Sequence, residues 1–143
     1  QSGDLEKAAD LQEKAMNGGL VHEFSEPEIS VLARSIYFDD ARPEALKIVD
    51  DYVSNPGPES EAFVPVMLLR LGKVEEAFEI FARNKYAFDS YFYGALWSPS
   101  SKQARQHAAF KSFVKHVGLE DYWRHYGWAD KCRPVDSENY EVD

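Results

Sequence analysis

The stretch "LGKVEEAFEIFAR", residues 71–83, contains a glycine, two acids, an alanine and apolar residues at every third or fourth position. That spacing puts the apolar side chains on one face of a 3.6-residue helix, so a short amphipathic helix is predicted. The pattern recurs along the chain. "GKVEEAFEIF" (72–81) matches "GDLEKAADLQ" (3–12) at the glycine, the apolar third position, the glutamate and the alanine, and "ARPEALKIV" (41–49) shares the Glu-Ala centre. The aligned alanines are Ala8, Ala45 and Ala77, at steps of 37 and 32 residues, and Ala108 or Ala109 stands where a looser fourth copy belongs.

Working outward from this helix, Leu5, Ala8, Ala9, Leu11, Gln12 and Ala15 predict a first helix that ends at "NGG" (17–19). Ser25, Pro27 and Glu28 form an N-cap, an early proline and a capping-box acid for a second helix, whose buried stripe is Ile29, Leu32, Ala33 and Ile36. A third begins near Pro43, buries Ala45, Leu46, Ile48, Val49, Tyr52 and Val53, and stops at "NPGP" (55–58). The fourth is expected over 59–71, kinked or shortened by Pro65.

Beyond the fifth, Phe88, Tyr91, Phe92, Ala95 and Leu96 predict a sixth helix up to "SPSS" (98–101). Phe110, Phe113, Val114 and Val117 mark a seventh that closes at Gly118, and Leu119, Tyr122, Trp123 and Tyr126 mark a short eighth before Gly127. No window alternates with period two for long enough to predict a strand. Residues 133–143, acidic and without an apolar stripe, are expected to form a mobile tail. The predicted fold is all-α, an array of antiparallel helical hairpins with about seven to eight helices. It comprises one domain over 3–127 and a partly disordered extension over 128–143.

A period near 34 residues with two helices per unit resembles the tetratricopeptide repeat. The resemblance rests on Gly72, Glu75, Glu76, Ala77 and Phe81, with Ala77 and Phe81 at the A-x3-F spacing, and it covers most of 3–117. The family's aromatic first-helix pattern is absent, and Ala33 and Pro65 occupy its small position. The resemblance implies a concave surface lined by the first helix of each pair. Carried over residue by residue, that surface comprises Arg34 and Tyr37, then Glu59, Val66 and Arg70, then Tyr93 and Trp97. Its arginine forks and aromatics would suit an extended peptide or an acidic C-terminus.

The ending "GLEDYWRHYGWADKC" (118–132) looks like the close of helical-repeat regions in multidomain bacterial proteins, which often carry a winged-helix or nucleotide-cyclase domain upstream. With Gln1 rather than Met in first place, the expectation is a C-terminal piece of a larger chain. An uncovered first helix of this kind suits a homodimer.

Composition narrows the function classes. With 143 residues and 44% hydrophobic side chains the chain can bury one core. Its net charge of −9 disfavours a phosphate backbone as partner, so no nucleic acid is expected. The longest apolar run, "FVPVMLL" (63–69), is far too short to span a bilayer. Cys132, the sole cysteine, cannot form an internal disulfide. The expectation is a soluble chain, cytoplasmic rather than periplasmic.

No catalytic or metal motif emerges. His107, His116 and His125 recur every nine residues, which places successive histidines on opposite faces of any one helix, and His22 stands alone. Asp39-Asp40 and Asp50-Asp51 read as helix-end solvation, the first pair as a helper to the following cap. In the aromatic run 85–97, Phe88, Phe92 and Leu96 form a core stripe that leaves Tyr93 and Trp97 for a partner, while Tyr122 and Trp123 are expected to be buried in a capping helix. The functional expectation is a non-catalytic protein-interaction module that needs no cofactor. The alternatives are a sensory domain that binds a small molecule and a hydrolase or metal enzyme.

Overall fold

The computed structural model describes residues 2–20, 24–55, 63–83, 90–136 and 139–143. The described chain is all-α, with one small β-ladder. Its helices are α1 (Ser2–Ala15), α2 (Glu26–Ser35), α3 (Arg42–Ser54), α4 (Phe63–Arg70), α5 (Val74–Arg83), α6 (Ser90–Trp97), α7 (Lys102–Gln106), α8 (Ala108–His116) and α9 (Leu119–Tyr126). A π-type turn, Met16–Leu20, closes α1. The seventh predicted helix is α8; the short α7 before it is not among the predicted helices, and His107 separates the two, its extended backbone ending α7 and its Nδ1 accepting from the Ala109 amide at 3.3 Å to start α8.

The helix ends follow the local chemistry of the sequence. The Glu28 carboxylate accepts from both the backbone amide and the hydroxyl of Ser25, each at 2.7 Å, and fastens the first turn of α2. These bonds hold the Glu28 carboxyl below its ordinary value of 4.5, hydroxyl bond first and amide bond second. Since the folded pKa is the lower one, the contribution is complete above the ordinary value and declines as the pH falls through the folded one. Glu28→Ala is expected to cost about 1 kcal/mol at pH 7. In urea titrations repeated at falling pH, its gap to the parent chain should close below pH 4.5; a gap that persists there would refute the linkage.

Helix α4 ends in a Schellman motif. The Lys73 amide donates to the Leu68 carbonyl at 2.9 Å and the Gly72 amide to the Leu69 carbonyl at 3.2 Å, with Gly72 left-handed at φ +84°. A methyl group there would meet no other atom, so the cost of Gly72→Ala is backbone strain alone. We expect about 1–2 kcal/mol in chemical denaturation. A loss below a few tenths would show that the turn relaxes into another conformation.

Ala45 and Ala77, which align in the sequence, are both fully buried, on helices that pack against α2 and α4 respectively. In α1 the buried alanine is Ala9, whereas Ala8 is only half-buried and Leu5 and Leu11 are exposed. In the fourth copy Ala109 packs on the core and Ala108 is exposed. Consecutive helices pack from α1 through α5; then α6 returns to α4, α8 lies on α5, and α9 lies on α8. Every residue of α4 from Phe63 to Leu69 is buried, Pro65 included, and the described helix runs unbroken to Arg70. Residues 59–62 lie outside the described residues.

The expectation of a strandless tail is corrected. β1 (Cys132–Pro134) and β2 (Tyr140–Val142) pair antiparallel, with Cys132 opposite Val142 and Pro134 opposite Tyr140. Long-range contacts hold this ladder against the helices. The Tyr140 ring is buried against Trp128 and Trp123, at centroid distances of 5.1 and 6.3 Å, and Lys111 Nζ of α8 donates to the Tyr140 carbonyl at 2.7 Å. Arg105, only 3% exposed, donates from Nη1 to the carbonyls of Leu96 (2.6 Å) and Ser98 (2.8 Å) and from Nε to that of Asp143 (3.1 Å). Burial pushes its pKa down and pushes that of Cys132 up to about 11, the Arg105 charge partly opposing the rise at the thiol.

Candidate functional site

The described residues predicted to line a first-helix groove differ in burial and contacts. Arg34 is half-buried on α2, its guanidinium 4.4 Å from the Phe38 ring centre and 2.9 Å from the Glu6 carboxylate of α1. Tyr37 is half-buried beyond the end of α2. Arg70 is half-buried, and its carbonyl accepts from Arg42 Nη2 at 3.0 Å. Val66 is corrected from groove lining to core: it is 1% exposed because neighbours enclose α4 on all sides. Trp97 is half-buried and packs edge-on against Phe110 (6.2 Å) and tilted against Trp123 (6.1 Å). Glu59, His22 and Phe88 lie outside the described residues, as do the side chains of Tyr93 and Phe92.

Other expectations resolve similarly. Tyr122 is 56% exposed, not buried; it shares the outer face of α9 with Tyr126, while Trp123 turns inward. Asp39 accepts from Arg42 Nη1 at 3.0 Å and does not cap the following helix. Among the described residues no three His, Cys, Asp or Glu side chains come together to hold a metal ion, and no helix is long and apolar enough to cross a membrane.

A hollow lies between α5 and α8. It measures about 510 Å³ and is lined by Glu75, Phe78, Glu79 and Ala82 on one side and Ala108, Ala109, Ser112, Phe113 and His116 on the other. The helical period produces both walls: positions 75, 78, 79 and 82 share one face of α5, and 108, 109, 112, 113 and 116 share one face of α8. The floor is aromatic, with Phe78 and Phe113 stacked at 5.0 Å and an interplanar angle of 26°. Small side chains on α8 keep the hollow open. Glu75 also borders a second hollow of about 270 Å³, lined by Gly72, Lys73, Val74, Glu76 and His107, so the two adjoin at Glu75.

The charges sit mainly on the α5 wall. Glu75 is exposed and has no ion pair among the described residues. Glu79 pairs with Arg83 at 3.1 Å, and Glu76 with Lys73 at 3.0 Å, a contact that raises the Lys73 pKa through its hydrogen bond first and its charge second. The groove therefore offers apolar contact at its floor and carboxylates at its rim. The sequence already held this acidic stripe, since Glu75 and Glu79 stand four apart in the opening helix. The pairing of α5 with α8, across α6 and α7, had no local signal. No protein-family model matches the chain, and neither does any curated protein or solved structure at significant similarity.

Proposed function

We propose that the chain is a non-catalytic protein-interaction module of the tetratricopeptide-like kind, a repeat region of a larger bacterial protein. The observation that carries the reading is the groove between α5 and α8, a preformed hollow with an aromatic floor between two packed helices. The fully buried Ala45 and Ala77, and the stacking of α6 on α4 and α8 on α5, support its repeat character. Rigid helix pairs limit the ordering cost of capturing a segment, and aromatic anchors favour interfaces.

The test is cross-linking capture from the source cell with the parent chain and with Ser112→Trp, which fills the groove from an exposed position. A partner held by the parent chain and lost at least about tenfold by the filled variant is expected. If capture is unaffected by Ser112→Trp but falls with Arg34→Ala or Arg70→Ala, the docking surface belongs to the first helices. If none of the three changes it, the interaction reading fails.

A second reading, a sensory domain that takes a small molecule in the same hollow, is favoured by its volume of about 510 Å³, within the roughly 300–1,000 Å³ of small-ligand sites. A ligand from a metabolite set that raises the melting temperature of the parent chain and not of Ser112→Trp would establish it.

A further inference from the structure

We propose that the α5–α8 groove receives a short cationic amphipathic helix of a partner protein, with a large apolar side chain over the Phe78–Phe113 floor and Lys or Arg side chains against Glu75 and Glu79. The proposal rests on the interaction reading and adds the chemistry of the occupant. Dimensions give its form. The groove follows α8 from Ala108 to His116, nine residues, or roughly 12 Å at the helical rise. About two and a half turns of a docked helix match that length. Ala108, Ala109 and Ser112 on one wall and Ala82 on the other present little bulk, so a third helix can approach closely and set a large side chain between the walls.

Charge gives its sign. Glu75 and Glu79 stand one turn apart on the same face, a spacing that the Lys or Arg residues of a helix can match. Glu75 is without an ion pair among the described residues, and the Glu79 partner, Arg83, is 77% exposed, so that pair is weak and easily exchanged for an incoming cation. The opposing groups are Lys73, which is held by Glu76, His107, whose Nδ1 faces the Ala109 amide, and, beside Ser112 on α8, Lys111, which donates to the Tyr140 carbonyl, and Lys115. His116, at the far end, repels a cation only when protonated. The chain's net charge of −9 steers a basic segment toward this surface and an acidic one away.

The probe is a pair of fluorescein-labelled peptides of about 12 residues with one helical apolar stripe, flanked by Lys in the first and Glu in the second, titrated onto the whole chain by anisotropy. The Lys peptide should bind at least about tenfold tighter than the Glu peptide, and rising salt should narrow the gap. Glu75→Lys with Glu79→Lys, both exposed positions, should invert the preference, and Ser112→Trp should abolish binding, each variant retaining the parent circular dichroism. Equal affinities that both vanish in Ser112→Trp would overturn the charge inference and leave the interaction reading intact. Lys-peptide binding indifferent to all three substitutions, or no binding at all, would overturn the proposed occupant, while cross-linking capture continues to judge the interaction reading separately.

Discussion

Arg105→Ala is expected to destabilise the chain by about 3 kcal/mol and to lower its melting temperature by about 10 °C. The guanidinium is buried and donates to three carbonyls, those of Leu96, Ser98 and Asp143. The first two lie at the C-terminal end of α6, where a helix presents its negative pole. Truncation leaves the Leu96 carbonyl without this donor, while that of Ser98 keeps the Ser101 amide at 3.1 Å, and it removes the cation 5.8 Å from the Trp97 ring centre. It also relieves the desolvation that depresses the arginine pKa, so the net loss is smaller than three separate hydrogen-bond penalties. Arg105→Lys should recover only a part, because one ammonium cannot reproduce the fork. Hydrogen exchange adds a local readout: the Asp143 amide, bonded to the Lys131 carbonyl at 2.9 Å, should lose protection in the alanine variant. Stability within 1 kcal/mol of the parent, with that amide still protected, would show that Arg105 does not hold the ladder.

Trp123→Ala should be comparably severe, about 3–5 kcal/mol by denaturant unfolding. Its ring lies 6.1 Å from Trp97, 6.2 Å from Trp128 and 6.3 Å from Tyr140, joining α6, the segment after α9 and β2 in one aromatic cluster. No neighbour can fill so large a void without moving the ladder. By contrast, Tyr122→Ala and Tyr126→Ala should each stay within about 0.5 kcal/mol, since both rings face solvent, 4.7 Å from one another, with Tyr126 also 4.5 Å from the His125 ring. If the tyrosines proved as costly as Trp123, the assignment of inner and outer faces on α9 would be wrong.

What the sequence revealed was local. Ser25 and Glu28 lie within one turn and Gly72 acts through its own φ, so capping and termination could be read from neighbours alone. The burial of Ala45 and Ala77 was legible from the apolar stripes of their own helices. The choice between Ala8 and Ala9 was not, since both fit the α1 stripe and only the approach of α2 decides it. Val66 carried a signal that points away from a groove: "FVPVMLL" has no polar face, and a helix apolar all round is one that is enclosed. The β-ladder could not be foreseen, because strands of three residues have too few positions to show a period. What orders them is Arg105 and Lys111, 38 and 29 residues before their acceptors. The groove was half visible, its acidic wall in one helix and its small wall in another, with no pattern to join them.

The enclosure of α4 bears on how the molecule comes apart. In an array of stacked helix pairs the end units have one neighbour and fray first, while an inner helix is covered from both sides. Here α3, α5 and α6 all cover one helix, so melting either flank wets it. Loss of either flank is therefore expected to destabilise α4, whose inner amides should be among the last to exchange with solvent.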